Sequence, residues 1–320
     1  MTDTMNQNVT DPVEELTHGQ EPQNKNQLTD AKIRRSKAGR ITAKVAVYVV
    51  LVFYAFIIIA PFLIILLTSF KTWRDASSLT FEWIPSEGFT AEAYAEVFRY
   101  RANMDATLPT LVRGFFNTLM YVLPPTLIGL FTSSLSAFAF SKLRFRSKKW
   151  MYTALLATMM IPGMIMVAPQ FIIYDLIGWV DTPLPLMIPG MFGAAACVFF
   201  MRQFYVGIPD SILEAGKLDG LSYFGLFIQI IVPLSVPALI AQGLLGFIGG
   251  YNDYFNPLIY LQSSDLYTLQ IALRTFAGVY ANEQNVVMAG TLVALLPTLV
   301  IYFIAQNYFI EGIATSGVKQ

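Results

Sequence analysis

Six long apolar runs, separated by polar segments, set the pattern of this chain. They cover Val45 to Phe70, Gly114 to Ser141, Trp150 to Tyr174, Thr182 to Met201, Tyr223 to Tyr251 and Asn285 to Ile310, and none contains Asp, Glu, Lys, Arg or His. A helix needs roughly 20 apolar residues to cross the hydrocarbon layer, and each run meets or nearly meets that. The runs do not alternate apolar with polar, as barrel strands would. The pattern therefore predicts an all-α membrane protein with six transmembrane helices over residues 44–320. Prolines mark most spans (Pro61, Pro124, Pro125, Pro162, Pro169, Pro189, Pro233, Pro237 and Pro297). Each removes a backbone donor and can kink its helix, which suits a protein that opens and closes. Gly243, Gly246, Gly249 and Gly250 recur down the fifth span, where small residues let helices approach closely.

The polar segments set the expected orientation. Residues 1–43 are rich in Asn, Gln, Thr, Asp and Glu, too polar to bury a core, and are expected to form a disordered tail. Lys32, Arg34, Arg35, Lys37, Arg40 and Lys44 cluster before the first run, and Lys142, Arg144, Arg146, Lys148 and Lys149 fill the loop after the second. Basic flanks face the cytoplasm. Six spans then put both termini inside and place Arg202 to Ser222 in the cytoplasm, while residues 71–113, with nearly balanced charges, form the longest external segment. Trp150 and Trp179 flank the third span as interfacial aromatics do. The first run is too long and starts too late for a secretory signal.

Composition narrows the function by exclusion. The chain is 55% hydrophobic and 13% charged, against about a quarter charged in globular proteins, which agrees with the membrane reading. With a net charge of zero there is no basic excess to bind nucleic acid. The single Cys197 rules out a disulfide within the chain, and the single His18 lies in the polar tail. No set of metal ligands is visible, so membrane-embedded hydrolase chemistry has no support. Proton-coupled carriers generally need ionisable groups inside the membrane, and the spans have none. Gly216-Lys217 is followed by Leu218, so there is no P-loop. A self-sufficient secondary carrier using a carbonyl-built sodium site remains the competing class. Otherwise, uphill transport must draw energy from another subunit.

One cytoplasmic segment stands out, IPDSILEAGKLDGLSYFGLFIQIIVPLSVPAL, from Ile208 to Leu239. Pro209 suits a helix start, and Asp210 and Glu214 lie toward its positive end. Glu214 and Lys217 have the spacing of a weak ion pair. Gly220 fits the left-handed residue that ends a helix, and Ser222 can cap the next one. Ile212, Leu213, Leu218 and Leu221 make this loop partly apolar. The segment reads either as a capped connector between spans or as an amphipathic knob for a partner's groove.

Glu214-Ala215-Gly216, Asp219-Gly220, Ile230, Pro233 and Pro237 resemble the EAA loop of binding-protein-dependent ABC permeases, here over about residues 208–222. Gly216 stands where the family has Ala, and Val232 where it has Leu. Other segments resemble the carbohydrate branch, the maltose-type, MalG-like permeases. They are Phe116-Asn117-Thr118-Leu119, Met159-Met160-Ile161-Pro162, Phe200-Met201-Arg202-Gln203-Phe204, Tyr251-Asn252-Asp253 with Pro257-Leu258, and Gly317-Val318-Lys319. Tyr251 replaces the family's Trp. The resemblance runs from about Val45 to the end. It implies the type I ABC importer permease fold in a bacterial plasma membrane, with Glu214 to Leu221 (Glu214, Ala215, Gly216, Lys217, Leu218, Asp219, Gly220 and Leu221) forming the coupling loop. It implies a second permease in a heterodimer, two cytoplasmic ATPase subunits that hold ATP and Mg²⁺, and an extracytoplasmic solute-binding protein. This chain would bind no cofactor and catalyse no reaction. By that resemblance Glu214 pairs with a basic group of the ATPase and Gly220 shapes the turn; the character of Leu218 and Leu221 suggests apolar contact. The implied solute is a sugar or oligosaccharide, with a polyol or glycerol phosphate as alternative; a phosphate would want cations that the spans lack. Tyr251, Asn252, Asp253, Tyr254 and Asn256 read first as an interfacial belt with a helix cap. Tyr251, Asn252, Asp253 and Asn256 are also the candidates for the solute path.

Overall fold

A computed structural model describes residues 21–317 except Leu79, with side chains described over 43–304, again without Leu79, and at Gln306. The chain divides into two compact units, residues 1–64 and 65–320. All regular elements among the described residues are helical. Four helices are long and apolar enough to cross a membrane, and six spans result if two bent pairs each count as one.

The first helix, α1, covers Glu21–Ser69, with its apolar stretch over Ala43–Ser69. Of the tail expected to be disordered, residues 1–20, including His18, lie outside the described residues. From Glu21 onward the backbone is helical, which differs from the expectation. Pro22 suits a first turn, and no proline follows before Pro61. Extending a helix that is already nucleated fixes one more bond per residue, so no new nucleus is needed.

The segment 71–113 is not a plain loop. It carries α2 (Trp73–Ala76) and the amphipathic α3 (Glu92–Arg99), which buries Ala93 and Val97. Then α4 (Thr110–Lys142) runs unbroken through Pro124 and Pro125. The third expected span is α5 (Lys148–Thr158) and α6 (Gly163–Leu176), bent by 94° at Met159 to Pro162. Proline 162 cannot donate within a helix, and its ring disfavours helical geometry at Ile161. The fourth span is α7 (Leu184–Met191) and α8 (Ala195–Val206). The break between them is stitched by α4: Thr132 Oγ1 donates to Met191 O at 3.0 Å, and Ser133 Oγ accepts from Ala194 N at 3.1 Å. Irregular backbone at membrane depth persists where neighbouring side chains satisfy it in this way.

After α9 (Asp210–Leu218) the fifth span begins with α10 (Tyr223–Leu226), passes through a π-turn at Phe227–Ile231 and ends its first half in α11 (Val232–Leu234). The chain then bends by 81° into α12 (Val236–Tyr251). Pro233 and Pro237 remove two donors four residues apart. Ser235 sits at the corner, and its hydroxyl donates to Ile231 O at 2.7 Å. The straight span expected over 223–251 is thus two helices. The elements α13 (Phe255–Tyr260), α14 (Leu269–Val279) and α15 (Gln284–Gly317) complete the fold. Neither α13 nor α14 was expected as a separate helix.

Within residues 65–320, α4 is the central element and packs against α7, α8, α12 and α14. One core gathers Leu111, Phe247, Tyr251, Leu269, Phe276 and Val286; another gathers Phe138, Met201, Tyr205, Leu226, Phe227 and Ile231. Between membrane helices lipid is as apolar as the core, so close fit and hydrogen bonds carry the specificity. The glycines of α12 serve that fit. A Cβ on Gly250 would lie 2.8 Å from Val122 Cγ1, and one on Gly243 would lie 3.3 Å from Leu130 Cδ2.

The Asn117-Thr118 pair fixes α14 to α4. The Asn117 amide donates to Asp265 O at 2.9 Å and Tyr267 O at 3.0 Å. Thr118 Oγ1 accepts from Leu269 N at 2.8 Å and donates to Gly114 O at 2.8 Å. Arg113 adds an ion pair to Asp265. Thr118→Val keeps the shape but leaves the buried Leu269 N–H unpaired. It should destabilise the chain by about 1–2 kcal/mol, read as a lower thermal unfolding midpoint in detergent; an unchanged midpoint would contradict that role.

Candidate functional site

The segment 208–226 folds as a helix, a tight turn and a second helix. Pro209 precedes α9, and Asp210 lies in its first turn. The helix ends on Gly220 at φ +86°. Gly220 N donates to Lys217 O and Leu221 N to Gly216 O, both at 3.0 Å. This pair of bonds is the Schellman closure, which needs a left-handed residue and so favours glycine. Ser222 Oγ then accepts from Gly225 N at 3.1 Å and caps α10.

The turn folds α10 and the π-turn back onto α9, and Gly216 is the contact point. Leu213 and Gly216 are the buried residues of α9. A Cβ on Gly216 would lie 2.6 Å from Leu226 Cδ2 and 2.7 Å from Ile230 Cδ1. Glycine at this place therefore admits the second helix at close range, and Leu226 is fully buried there. Leu221 packs inward on the same cluster.

The opposite face of α9 is open. Glu214, Ala215, Lys217, Leu218, Asp219 and Gly220 are exposed, with Leu218 at 89%. The expected Glu214–Lys217 ion pair does not form. The Lys217 ammonium sits 5.0 Å from the ring centroid of Tyr223 instead, because the turn carries Tyr223 back beside it. Glu214 has no ion pair among the described residues. Ile212, Leu218, Tyr223 and Phe224 are exposed apolar side chains around it.

A lysine from α4 holds this knob at its base, and sequence reasoning assigned it no contact. Lys142, in the last turn of α4, has a side chain only 7% exposed. Its ammonium donates to Ile208 O at 2.5 Å and to Asp210 Oδ1 at 2.6 Å. That hydrogen bond and the charge of Lys142 hold the Asp210 carboxyl below its ordinary range. The Asp210 carboxylate therefore keeps its charge at neutral pH, and its bond to Lys142 is lost only as pH falls through the lowered folded value. Arg202 Nε donates to Phe140 O at 3.0 Å, and Lys148 Nζ to Leu143 O at 2.9 Å. Arg202 and Lys148 thus serve carbonyls at or just past the C-terminus of α4, where the helix dipole favours cations.

The four residues expected along a solute path divide. Tyr251 is a core residue, 1% exposed, whose hydroxyl donates to Ala294 O at 2.9 Å. The Asn252 amide turns back to Ile248 O at 2.9 Å. Asp253 accepts from Phe255 N and Asn256 N at 3.1 and 3.2 Å, and from the Asn256 amide at 2.8 Å. Asp253 thus accepts from the first two backbone N–H groups of α13, and the Asn256 amide braces it. Only Asp253 of the four also lines a cavity, of about 270 Å³, between α4, α7, α8 and α12. Its other polar walls include Tyr121, Thr126, Ser133, Gln242 and Thr268. Gln242 and Tyr121 carry no charge and belong to no local motif. Among the described residues no cluster of His, Cys, Asp and Glu could hold a metal. Of the carbohydrate-branch segments, Gly317 ends α15, while Val318 and Lys319 lie outside the described residues.

Comparison with known proteins agrees with this geometry. Residues 126–314 match the family model described as a binding-protein-dependent transport system inner membrane component. An arabinooligosaccharides transport system permease protein of Halalkalibacterium halodurans is 29% identical, over 83% of this chain and 93% of its own. A lactose transport system permease protein of Rhizobium radiobacter is 33% identical, over 63% of this chain and 74% of its own. Among solved structures, a chain of a bacterial ABC transporter involved in import of the acidic polysaccharide alginate has the same fold. It matches at a TM-score of 0.73 and 23% identity, over 85% of this chain and 98% of that one.

Proposed function

This chain belongs to the family of binding-protein-dependent transport system inner membrane components, and from that premise we propose that it is the permease of an ATP-driven importer for a sugar or oligosaccharide. The relatives named for arabino-oligosaccharide and lactose transport support the solute class. In this reading an extracytoplasmic binding protein delivers the solute, and a second, different permease completes the path. Two cytoplasmic ATPases hold ATP and Mg²⁺ and supply the energy, so this chain needs no cofactor of its own. In this reading the basic flanks face the cytoplasm, with both termini on that side.

The observation that carries the reading is the open face of α9. Glu214 has no ion pair among the described residues and Leu218 is exposed, on a helix whose other face is packed. A short helix with one charged and apolar face free is suited to a partner's groove. Glu214 meets a basic group of the ATPase, Leu218 enters the groove, and Gly220 sets the turn that presents both. Leu221 works from inside the knob. Lys142 carries displacement of α9 to α4, the central helix of the fold.

The test is uptake of labelled lactose or arabino-oligosaccharide into proteoliposomes holding the whole transporter and its binding protein. Accumulation should require ATP and should vanish when the ATPase subunits are omitted. Accumulation by this chain and its partner permease without the ATPase would contradict the proposal.

A further inference from the structure

We propose that the cavity between α4, α7, α8 and α12 is a subsite for one ring of an uncharged sugar, held by this subunit itself. The inference rests on the reading of the chain as a sugar permease. Its basis is the state of the polar groups around the cavity. The Tyr121 side chain is 3% exposed, and its hydroxyl has no hydrogen-bond partner among the described residues. The Gln242 amide, half-buried within an apolar helix, has none either. Thr268 Oγ1 is buried and unpartnered, although Thr268 stands at the N-terminal cap of α14 where its hydroxyl would ordinarily bond. Buried polar groups are nearly always paired, so the enclosed, unpartnered Thr268 hydroxyl, beside the unbonded Tyr121 and Gln242 groups on the same cavity, calls for a ligand. The buried hydroxyls of Thr118, Ser134 and Ser235, away from the cavity lining, all have partners.

The chemistry of the walls selects the solute. Gln242 offers a donor and an acceptor, Tyr121 a hydroxyl that does either, and Asp253 an acceptor already steadied by Asn256. Such groups match the hydroxyls of a sugar. No Lys, Arg or His lines the cavity, and the one charge present is negative. A phosphate or uronate would bring its charge beside Asp253 with no cation to meet it. Gly246 and Gly250 follow Gln242 at successive turns of α12, so bare backbone leaves the room open beside the amide. The volume of about 270 Å³ lies just under the roughly 300–1,000 Å³ of ordinary ligand pockets. It suits one ring at a time as an oligosaccharide passes.

Two conservative variants test this in the reconstituted transporter at saturating binding protein. Gln242→Leu removes the amide without adding charge, and Tyr121→Phe removes one hydroxyl. Each should lower the rate of lactose or arabino-oligosaccharide uptake about five- to tenfold, while ATP hydrolysis stimulated by the binding protein persists. Wild-type uptake rates in both variants would overturn the subsite and leave the sugar reading standing. A wild-type transporter that takes up no neutral sugar would sink the sugar reading itself. Uptake of glycerol 3-phosphate by the wild type would overturn the assignment to an uncharged solute.

Discussion

Glu214→Lys should abolish ATP-driven uptake while leaving the chain folded in the membrane. Glu214 is exposed and has no ion pair among the described residues, so its replacement disturbs no packing. Surface changes of this kind usually alter stability by no more than about 0.5 kcal/mol. At a docking face the outcome differs. If a cation of the ATPase faces Glu214, lysine turns an attraction into a like-charge contact. A loss of roughly 2–3 kcal/mol at such a position weakens assembly by on the order of 100-fold. Leu218→Asp should act in the same direction by placing a charge where an apolar side chain is buried on docking. Co-purification of the ATPase and uptake should fall together, with unchanged thermal unfolding of the permease. Normal assembly in both variants would remove α9 from the coupling role.

Lys142→Met is the second large effect, and its signature is different. The ammonium joins the end of α4 to the start of α9 through Ile208 O and Asp210. Methionine retains much of the buried stem and removes both bonds. Asp210 is exposed and returns to solvent, whereas Ile208 O is part-buried and loses its donor. The expected destabilisation is about 1–3 kcal/mol. The exposed face of α9 is untouched, so the ATPase should still bind and hydrolyse ATP. Uptake should fall far more than hydrolysis, because α9 now moves without drawing α4. Equal losses of hydrolysis and uptake would mean that Lys142 serves folding alone.

The membrane architecture was largely legible because hydrocarbon imposes it: six uncharged runs became four helices and two bent pairs. Which prolines bend a span was not legible. Pro61, Pro124, Pro125 and Pro297 lie inside continuous helices, whereas Pro162 and the Pro233–Pro237 pair stand at breaks. All of them sit in uncharged apolar runs, so the local sequence does not separate the two groups. Gly220 could be read from sequence because a left-handed helix end demands glycine locally. Gly216 could not: its reason is the approach of Leu226 and Ile230, which exists only once the turn has closed. The same turn gave Lys217 the Tyr223 ring in place of Glu214. Tyr251 looked like a solute contact beside Asn252 and Asp253, yet its hydroxyl belongs to Ala294, 43 residues away. The polar groups around the cavity come from α4, α12 and the start of α14, so no local motif joins them. Gln242, the lone amide of α12, was the available signal.

The central claim is that a separate ATPase grips α9. A cysteine cross-link in the assembled transporter tests it most directly. With Cys197→Ala as background, Leu218→Cys places a thiol on the exposed face of α9. Met104→Cys places one at a position 90% exposed, in the segment expected outside the cell. The account predicts that a short bifunctional reagent joins residue 218 to the ATPase and leaves residue 104 unlinked. Failure at residue 218 in a transporter that is assembled and active, or equal linkage from residue 104, would contradict it.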